Sequence, residues 1–276
     1  MSDRKTLLHD AVVSQRTDFG HGYFELSLEC PALAAELRAG QFINLRVRDE
    51  LFPLLRRPFS SFDWLTDARG KPKGISVLAH VVGQGTELMS RMQPGQKLSI
   101  NGPLGKAFEA PEDPEARVIM VGGGIGLAPF LHLIRQWPRL GHKHELMLLA
   151  GARAQRDLAF IKRFTSNCGE VLLATEDGSL GVKGRVTVLL EAEIKALKGK
   201  PAVVLTCGPW AMMAAVSSLC ASANIVCYAS LERTMGCGFG VCNGCVAKVK
   251  EPSASGFRYA KTCVEGTVME SSCVVW

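Results

Sequence analysis

Four cysteines near the C-terminal end, Cys237, Cys242, Cys245 and Cys263, follow a C-x4-C-x2-C spacing with a fourth thiol downstream, the plant-type arrangement of ligands for a 2Fe-2S cluster. The first three lie in Met235-Gly-Cys-Gly-Phe-Gly-Val-Cys-Asn-Gly-Cys245. There Gly236, Gly238, Gly240 and Gly244 are expected to take left-handed dihedrals and turn backbone N–H groups toward sulfur. Zinc is the alternative, since Cys242-x2-Cys245 is a pair that zinc ribbons use. Zinc sites take a second short pair, however, and Cys237 and Cys263 do not form one. A disulfide framework fits poorly with a chain of this length and no secretory leader.

At 276 residues the chain has room for about two domains of roughly 100 to 200 residues each. The opening Met1-Ser-Asp-Arg-Lys5 is charged and lacks the apolar run of a signal peptide. Two weakly charged stretches, 118–134 and 211–231, are interrupted, the first by glycines and Pro129, the second by serines and Asn224. Neither supplies a continuous membrane span. The reading is a cytoplasmic protein with no membrane partner, in which the ten cysteines stay reduced. Cys30, Cys168, Cys220, Cys227 and Cys273 are expected to act as small apolar residues. The net charge of +6 is mild and scattered, so no nucleic-acid partner is expected.

Three sections follow from the pattern. Up to about residue 110, short β-like runs at 8–15, 23–28, 41–46, 75–82 and 97–100 alternate with turn signals, which predicts a small antiparallel barrel. From 115 to 227, apolar runs at 117–121, 145–150, 170–175 and 202–207 alternate with helical stretches, which predicts a parallel α/β sheet with crossover helices. The linker Glu109-Ala-Pro-Glu-Asp-Pro-Glu115 marks the boundary. Residues 228–276 are Gly- and Cys-rich, and such a segment is held together largely by its cluster.

Several motifs could bind cofactors, each with a plainer structural reading. Gly122-Gly-Gly-Ile-Gly-Leu-Ala-Pro129 joins a strand to a helix, so Gly122, Gly124 and Gly126 could bring backbone N–H groups against a pyrophosphate. Its spacing is G-x-G-x-G rather than the Rossmann G-x-G-x-x-G, and no acidic residue stands about 20 positions on. Arg153 and Arg156 could meet a ribose or 2′-phosphate, or be solvated surface. Arg57-Pro58-Phe59-Ser60 combines a guanidinium that can clamp phosphate, a ring that can stack and a hydroxyl that can donate. Those are a flavin's demands, though a strand edge with one core Phe reads equally simply. Gly85 and Thr86 could cap a helix facing a phosphate, and Gly102-Pro-Leu-Gly105 is a further tight loop. Cys207-Gly208-Pro209 ends a strand at the carboxyl edge of the parallel sheet, where ligands bind in open α/β folds.

The order of these motifs, closed by the cysteine set, resembles the ferredoxin-NADP reductase superfamily with a C-terminal 2Fe-2S segment. Within it, Leu54-Leu-Arg-Arg-Pro-Phe-Ser60, Thr175-Glu-Asp-Gly-Ser179 with Lys183-Gly184, and Ser230-Leu-Glu-Arg-Thr-Met-Gly-Cys237 resemble the electron transfer subunits of NAD-dependent dihydroorotate dehydrogenases, over nearly the whole chain. The resemblance implies FAD between barrel and nucleotide domain, with Arg57 on its pyrophosphate, Phe59 and Ser60 beside the isoalloxazine, and Pro58, Gly85 and Thr86 helping to hold the same cofactor. It implies NAD as electron acceptor along Gly122–Ala128 and Cys207-Gly208-Pro209, and Cys237, Cys242, Cys245 and Cys263 as cluster ligands. The implied partner is an FMN-containing dihydroorotate dehydrogenase catalytic subunit, in a heterotetramer of two plus two, working in pyrimidine biosynthesis. An NAD(P)H-ferredoxin or sulfide-type reductase subunit is the alternative within the superfamily. Two features depart from the pattern: the polar insert Glu251-Pro-Ser-Ala-Ser-Gly256, and Arg153 in what would be an NAD pocket.

Overall fold

The computed structural model describes residues 7–48 and 52–276; the charged start Met1–Lys5 lies outside them. Strands β1 (Leu7–Gly20), β2 (Tyr23–Glu29), β3 (Phe42–Arg46), β4 (Arg57–Ser60), β5 (Asp63–Thr66), β6 (Pro72–His80) and β7 (Lys97–Leu104) form one antiparallel sheet of seven strands, ordered β4-β3-β7-β1-β2-β6-β5. In β7, buried positions alternate strictly with more open ones, as a sheet with one face on a core requires. That core gathers Leu26, Leu28, Ile43, Leu45, Val77 and Ile100. Helices α1 (Pro31–Glu36) and α2 (Gln84–Ser90) join its strands.

The second sheet is β8 (Arg117–Gly123), β9 (Leu146–Ala152), β10 (Glu170–Thr175), β11 (Val182–Lys183), β12 (Ala202–Cys207) and β13 (Val226–Ser230), all parallel, in the order β11-β10-β9-β8-β12-β13. β8 is buried almost from end to end, the signature of a parallel strand covered on both faces. Its residues alternate between two cores. Val118 and Met120 face α3 (Ala128–Gln136) and the antiparallel sheet, while Ile119 and Val121 face α5 (Val186–Leu197) and α6 (Trp210–Ser222).

The parallel sheet runs past residue 227. β13 straddles that position, and after the hairpin β14 (Val246–Lys250) and β15 (Phe257–Lys261) and the short helix α7 (Thr262–Glu265), the chain returns as β16 (Val268–Glu270), antiparallel on the outer edge of β13. The cysteine segment is thus stitched to the nucleotide-type sheet at both of its ends.

The two sheets are locked together by buried polar contacts. α3 supplies Arg135 to Asp63 at 3.0 Å, and α4 (Lys162–Thr165) supplies Arg163 to Asp63 at 2.6 Å and Glu25 at 3.0 Å. Gln136 donates to the Leu37 carbonyl at 2.9 Å and accepts from Ala39 N–H at 3.1 Å. Burial pushes the acids Asp63 and Glu25 upward, against the pull of these guanidinium groups and, for Glu25, of the Ser76 hydroxyl. Among the described residues no helix is long and apolar enough to cross a membrane.

Candidate functional site: a cleft between the two sheets

A cleft of about 410 Å³ opens between the sheets. Arg57, Pro58, Phe59 and Ser60 on β4 form one wall, with His80 and Thr86; Ile125 and Ala128 face them from the nucleotide-type domain; Ser230 to Arg233 and Met235 close the third side. Gly85 is needed because a Cβ there would stand 2.5 Å from Arg57 Nε. The guanidinium therefore passes over the start of α2, where it donates to the Leu55 carbonyl. Thr86 caps that helix from within, accepting from Val82 and Gly83 N–H groups at 3.0 and 3.3 Å. Its hydroxyl is committed to the cap while its side chain borders the cleft. A flat apolar wall, a guanidinium and few polar groups suit a planar cofactor carrying phosphates.

The two nucleotide motifs touch. A Cβ at Gly126 would lie 2.5 Å from Gly208 Cα and 2.7 Å from the Cys207 carbonyl, and one at Gly122 would meet Leu127 at 2.4 Å. Gly126 thus lets the loop pack on Cys207 and Gly208, while Gly122 makes room for Leu127 within the loop's own turn. Gly124, with φ +54° and open space beside its missing side chain, is where a ligand has access. Cys207 is fully buried; burial first, and then the nearby Glu232 carboxylate at 3.9 Å from its sulfur, push the thiol well up, so it stays protonated and apolar. Glu232 itself opens on the cleft, yet the atoms crowding its carboxylate raise it too. Pro209 is exposed at the head of α6. Arg153 and Arg156 are exposed beyond the end of β9.

The cysteines fall into two pairs. Cys237 N–H points at Cys242 Sγ at 3.5 Å and Cys242 N–H at Cys237 Sγ at 3.4 Å, with Gly244 N–H adding 3.4 Å to Cys242 Sγ. Cys245 and Cys263 lie buried with their sulfurs 3.2 Å apart. Burial raises the Cys237 thiol, but the N–H groups of Cys242, Phe239 and Val241 more than offset it and bring it down to about 6. Burial and then the Cys245 sulfur push Cys263 up to about 12. Among the described residues no three Cys, His, Asp or Glu side chains gather round a single-ion position. Two thiol pairs with amides aimed at sulfur fit a two-iron cluster, which takes two cysteines at each iron.

Some expectations change here. Of the four loop glycines, Gly238 and Gly240 take positive φ (+80° and +94°), as does Asn243 (+57°), whereas Gly236 and Gly244 do not. At Gly236 a Cβ would crowd Cys242 Sγ at 3.3 Å, whereas at Gly244 it would stand at an ordinary 3.5 Å from the same sulfur. Cys273 is exposed rather than an apolar filler. His80, which stacks on Tyr23 with centroids 4.2 Å apart, borders the cleft without any local motif to announce it, and Glu232, inside the 230–237 stretch but given no role there, borders it too. A larger hollow of about 570 Å³ lies at the opposite edge of the parallel strands, between the 109–113 linker and residues 199–203. Its polar lining is Glu109, Glu112, Asp113, Lys200, Asn224 and Tyr228, none of them in the cofactor motifs.

An antiparallel sheet and a parallel nucleotide-type sheet sharing a cleft define an oxidoreductase with the ferredoxin-NADP reductase fold. The structure of an NADH-dependent reduced ferredoxin-NADP oxidoreductase superposes with a TM-score of 0.78 at 23% identity, covering 99% of this chain and 91% of that one. A ferredoxin NADP+ reductase from Neisseria gonorrhoeae with bound FAD and NADP gives 0.64 at 18%, covering 78% and 91%. The chain belongs to the family of dihydroorotate dehydrogenase B electron transfer subunits. Residues 232–275 match the family model described as the iron-sulfur cluster binding domain of dihydroorotate dehydrogenase B, and 120–218 match an oxidoreductase NAD-binding domain. The dihydroorotate dehydrogenase B (NAD(+)) electron transfer subunit of Desulforamulus reducens is 35% identical over 92% of both chains, and that of Geobacillus kaustophilus 32% over 99% of this chain and 98% of the relative.

Proposed function

We propose that this chain passes electrons from an FMN-containing dihydroorotate dehydrogenase catalytic subunit, through a 2Fe-2S cluster and FAD, to NAD in pyrimidine biosynthesis. The observation that carries the reading is a shared wall: residues 230–235, which border the cleft opposite Arg57–Ser60, run directly into Cys237. FAD held in the cleft would supply the chemistry that links a two-electron carrier, nicotinamide, to a one-electron carrier, the cluster. The antiparallel sheet acts as the FAD-binding barrel, residues 115–227 as the NAD domain and 228–276 as the cluster segment. Arg57 holds the FAD pyrophosphate, Pro58, Phe59 and Ser60 line its ring, and Gly85 and Thr86 shape the turn beneath. Gly122, Gly124 and Gly126 with Cys207, Gly208 and Pro209 receive NAD.

Cys237, Cys242, Cys245 and Cys263 ligate the cluster. The pair nearer solvent, with exposed Phe239, Val241 and Val264 around it, faces the catalytic subunit, in a heterotetramer of two plus two in the cytoplasm. Co-expression with such a subunit, purification and assay of dihydroorotate-dependent NAD reduction tests the proposal. The expected result is a complex holding FMN, FAD and iron-sulfur. The alternative, an NAD(P)H-ferredoxin or sulfide-type reductase subunit, is favoured by the 0.78 superposition above. It gains the ground if no FMN protein associates and ferredoxin is reduced instead. A colourless protein with stoichiometric zinc removes both.

A further inference from the structure

β3 lies between the cleft and the cysteine loop. On one side it pairs with β4 in a register that sets Phe42 opposite Ser60 and Asn44 opposite Pro58. Phe42 and Asn44, two residues apart, share one face of the strand, and both reach the cysteine segment. Phe42 packs with Cys245 and Cys263 and also borders the cleft. Asn44 is 1% exposed, and its Nδ2 donates to the Cys237 carbonyl at 2.9 Å.

The loop is shaped to meet Asn44. Gly238 follows Cys237 with φ +80°, and a Cβ there would stand 2.0 Å from Asn44 Nδ2 and 3.0 Å from its Cγ. A buried side chain has nowhere to withdraw, so the close approach needs both the glycine and the amide. Asn44 Oδ1 is buried with no hydrogen-bond partner, which costs free energy at a position where an apolar residue of the same shape would not. A polar side chain kept there at that cost serves its one bond, the bond to Cys237.

From these contacts we infer that Asn44 is a positioning residue for electron transfer: it fixes the Cys237 turn, and with it the outer thiol pair, at a set distance from the β4 wall. The inference rests on the reading of Cys237 as a cluster ligand. Phe42 anchors the inner pair by packing and Asn44 the outer pair by hydrogen bonding, so one strand holds both ends of the path between cleft and cluster. Residues supporting metal ligands in this way carry about 10- to 100-fold of metal retention or activity, and hydrogen bonding around the sulfurs adjusts reduction potential.

The test uses the holo-complex with Asn44→Ala and, from the loop side, Gly238→Ala. Flavin content and the rate of flavin bleaching by NADH are expected to match wild type in both. Transfer from reduced flavin to cluster, followed by stopped-flow absorbance, is expected to fall at least ~10-fold, with a changed EPR spectrum of the reduced cluster. Because Asn44→Ala empties the space that the Gly238→Ala methyl needs, the double variant is expected to be no worse than the poorer single one. Normal transfer and an unchanged EPR spectrum in Asn44→Ala overturn the inference, as do fully additive effects in the double variant. Should Asn44→Ala lose its cluster while keeping FAD and its Tm, the holding role stands; loss of cluster, FAD and Tm together assigns Asn44 to folding and overturns it. A wild-type protein without a 2Fe-2S spectrum defeats the ligand reading instead.

Discussion

The two sheets and the cysteine segment hold their shape by different means. Between the sheets, Phe62, Phe130, Phe160 and Phe164 are fully buried, each contributing about 1.5–3 kcal/mol over an exposed position. Arg135, Arg163 and Gln136 add polar contacts across the same interface. Beneath the cysteine loop the buried apolar group amounts to Phe42, Leu104 and the sulfurs of Cys245 and Cys263, with Met235 at its margin. The first region is ordered by packing, whereas in the second half of the small core consists of thiols proposed as ligands. On that reading, order there is coupled to the cluster.

The largest expected effect breaks the second region and spares the first. Cys237→Ala should abolish the cluster spectrum and electron delivery from the partner while FAD content and Tm of the sheets stay near wild type. Removing iron with a chelator should do the same and expose the 236–245 loop to limited proteolysis; a resistant loop in the apo-protein would mean that packing alone orders it.

Breaking the first region needs the interdomain lock. Arg163→Met keeps a long apolar stem near Phe62 but leaves Glu25 and Asp63 without the cation that bridges them. Burial already raises both acids, and the substitution raises them further. An acid raised on folding contributes stability that is present below its unfolded pKa and lost as pH rises through the folded one. The cost should therefore be small near about pH 4 and reach about 2 kcal/mol at neutral pH, below the roughly 3–5 kcal/mol of fully buried pairs because Arg163 keeps some exposure. Urea unfolding at both pH values measures it. A penalty independent of pH would place the loss in packing.

The cleft lies between the two regions and depends on both. Arg57→Ala removes a charge-assisted contact of about 1.5–3 kcal/mol, so FAD retention through gel filtration should weaken about 10- to 100-fold with the cluster intact. Unchanged flavin content would assign the phosphate to other donors.

These regions also differ in how far the chain announced them. The cysteine spacing, Arg57–Ser60, Gly122–Gly126 and Cys207–Pro209 are short-range patterns; in the structure Arg57–Ser60 and Ile125 line the cleft, Gly126 packs on Cys207 and Gly208, and the cysteine loop follows Met235 on the third wall. The alternating strands at 117–121, 145–150, 170–175 and 202–207 were equally readable. The contacts that join the parts were not. Glu25 and Arg163 are 138 residues apart, and Asn44 and Cys237 193 apart. Asn44 sits in an ordinary strand, Phe-Ile-Asn-Leu-Arg, and nothing local marks a lone asparagine as a strut. β4 was open to the plain strand-edge reading of Arg57–Ser60, but β5 escaped because it is four residues long, too short to display a period. β16 escaped because its place is set by tertiary return of the chain rather than by its own sequence.

The smallest expected effect sharpens the contrast inside the cysteine segment. Lys261 donates from Nζ to the Gly240 carbonyl at 3.0 Å and Thr262 from its hydroxyl to the Cys245 carbonyl at 2.9 Å, so the loop carries these side-chain ties besides its sulfurs and Asn44. The ammonium also brings positive charge beside residues 237–242, where an added electron is stabilised by it. Lys261→Met preserves the stem and removes the charge. Cluster assembly should survive, since the thiol pairs are untouched, but the reduced state should lose about 1 kcal/mol of electrostatic support, a fall of ~40 mV in midpoint potential for one electron. An EPR-monitored redox titration reads this directly, and the shift should shrink at high salt, because Lys261 is partly open to solvent. A potential that does not move would make the tie purely mechanical, leaving amide groups and burial to set the cluster's affinity for electrons.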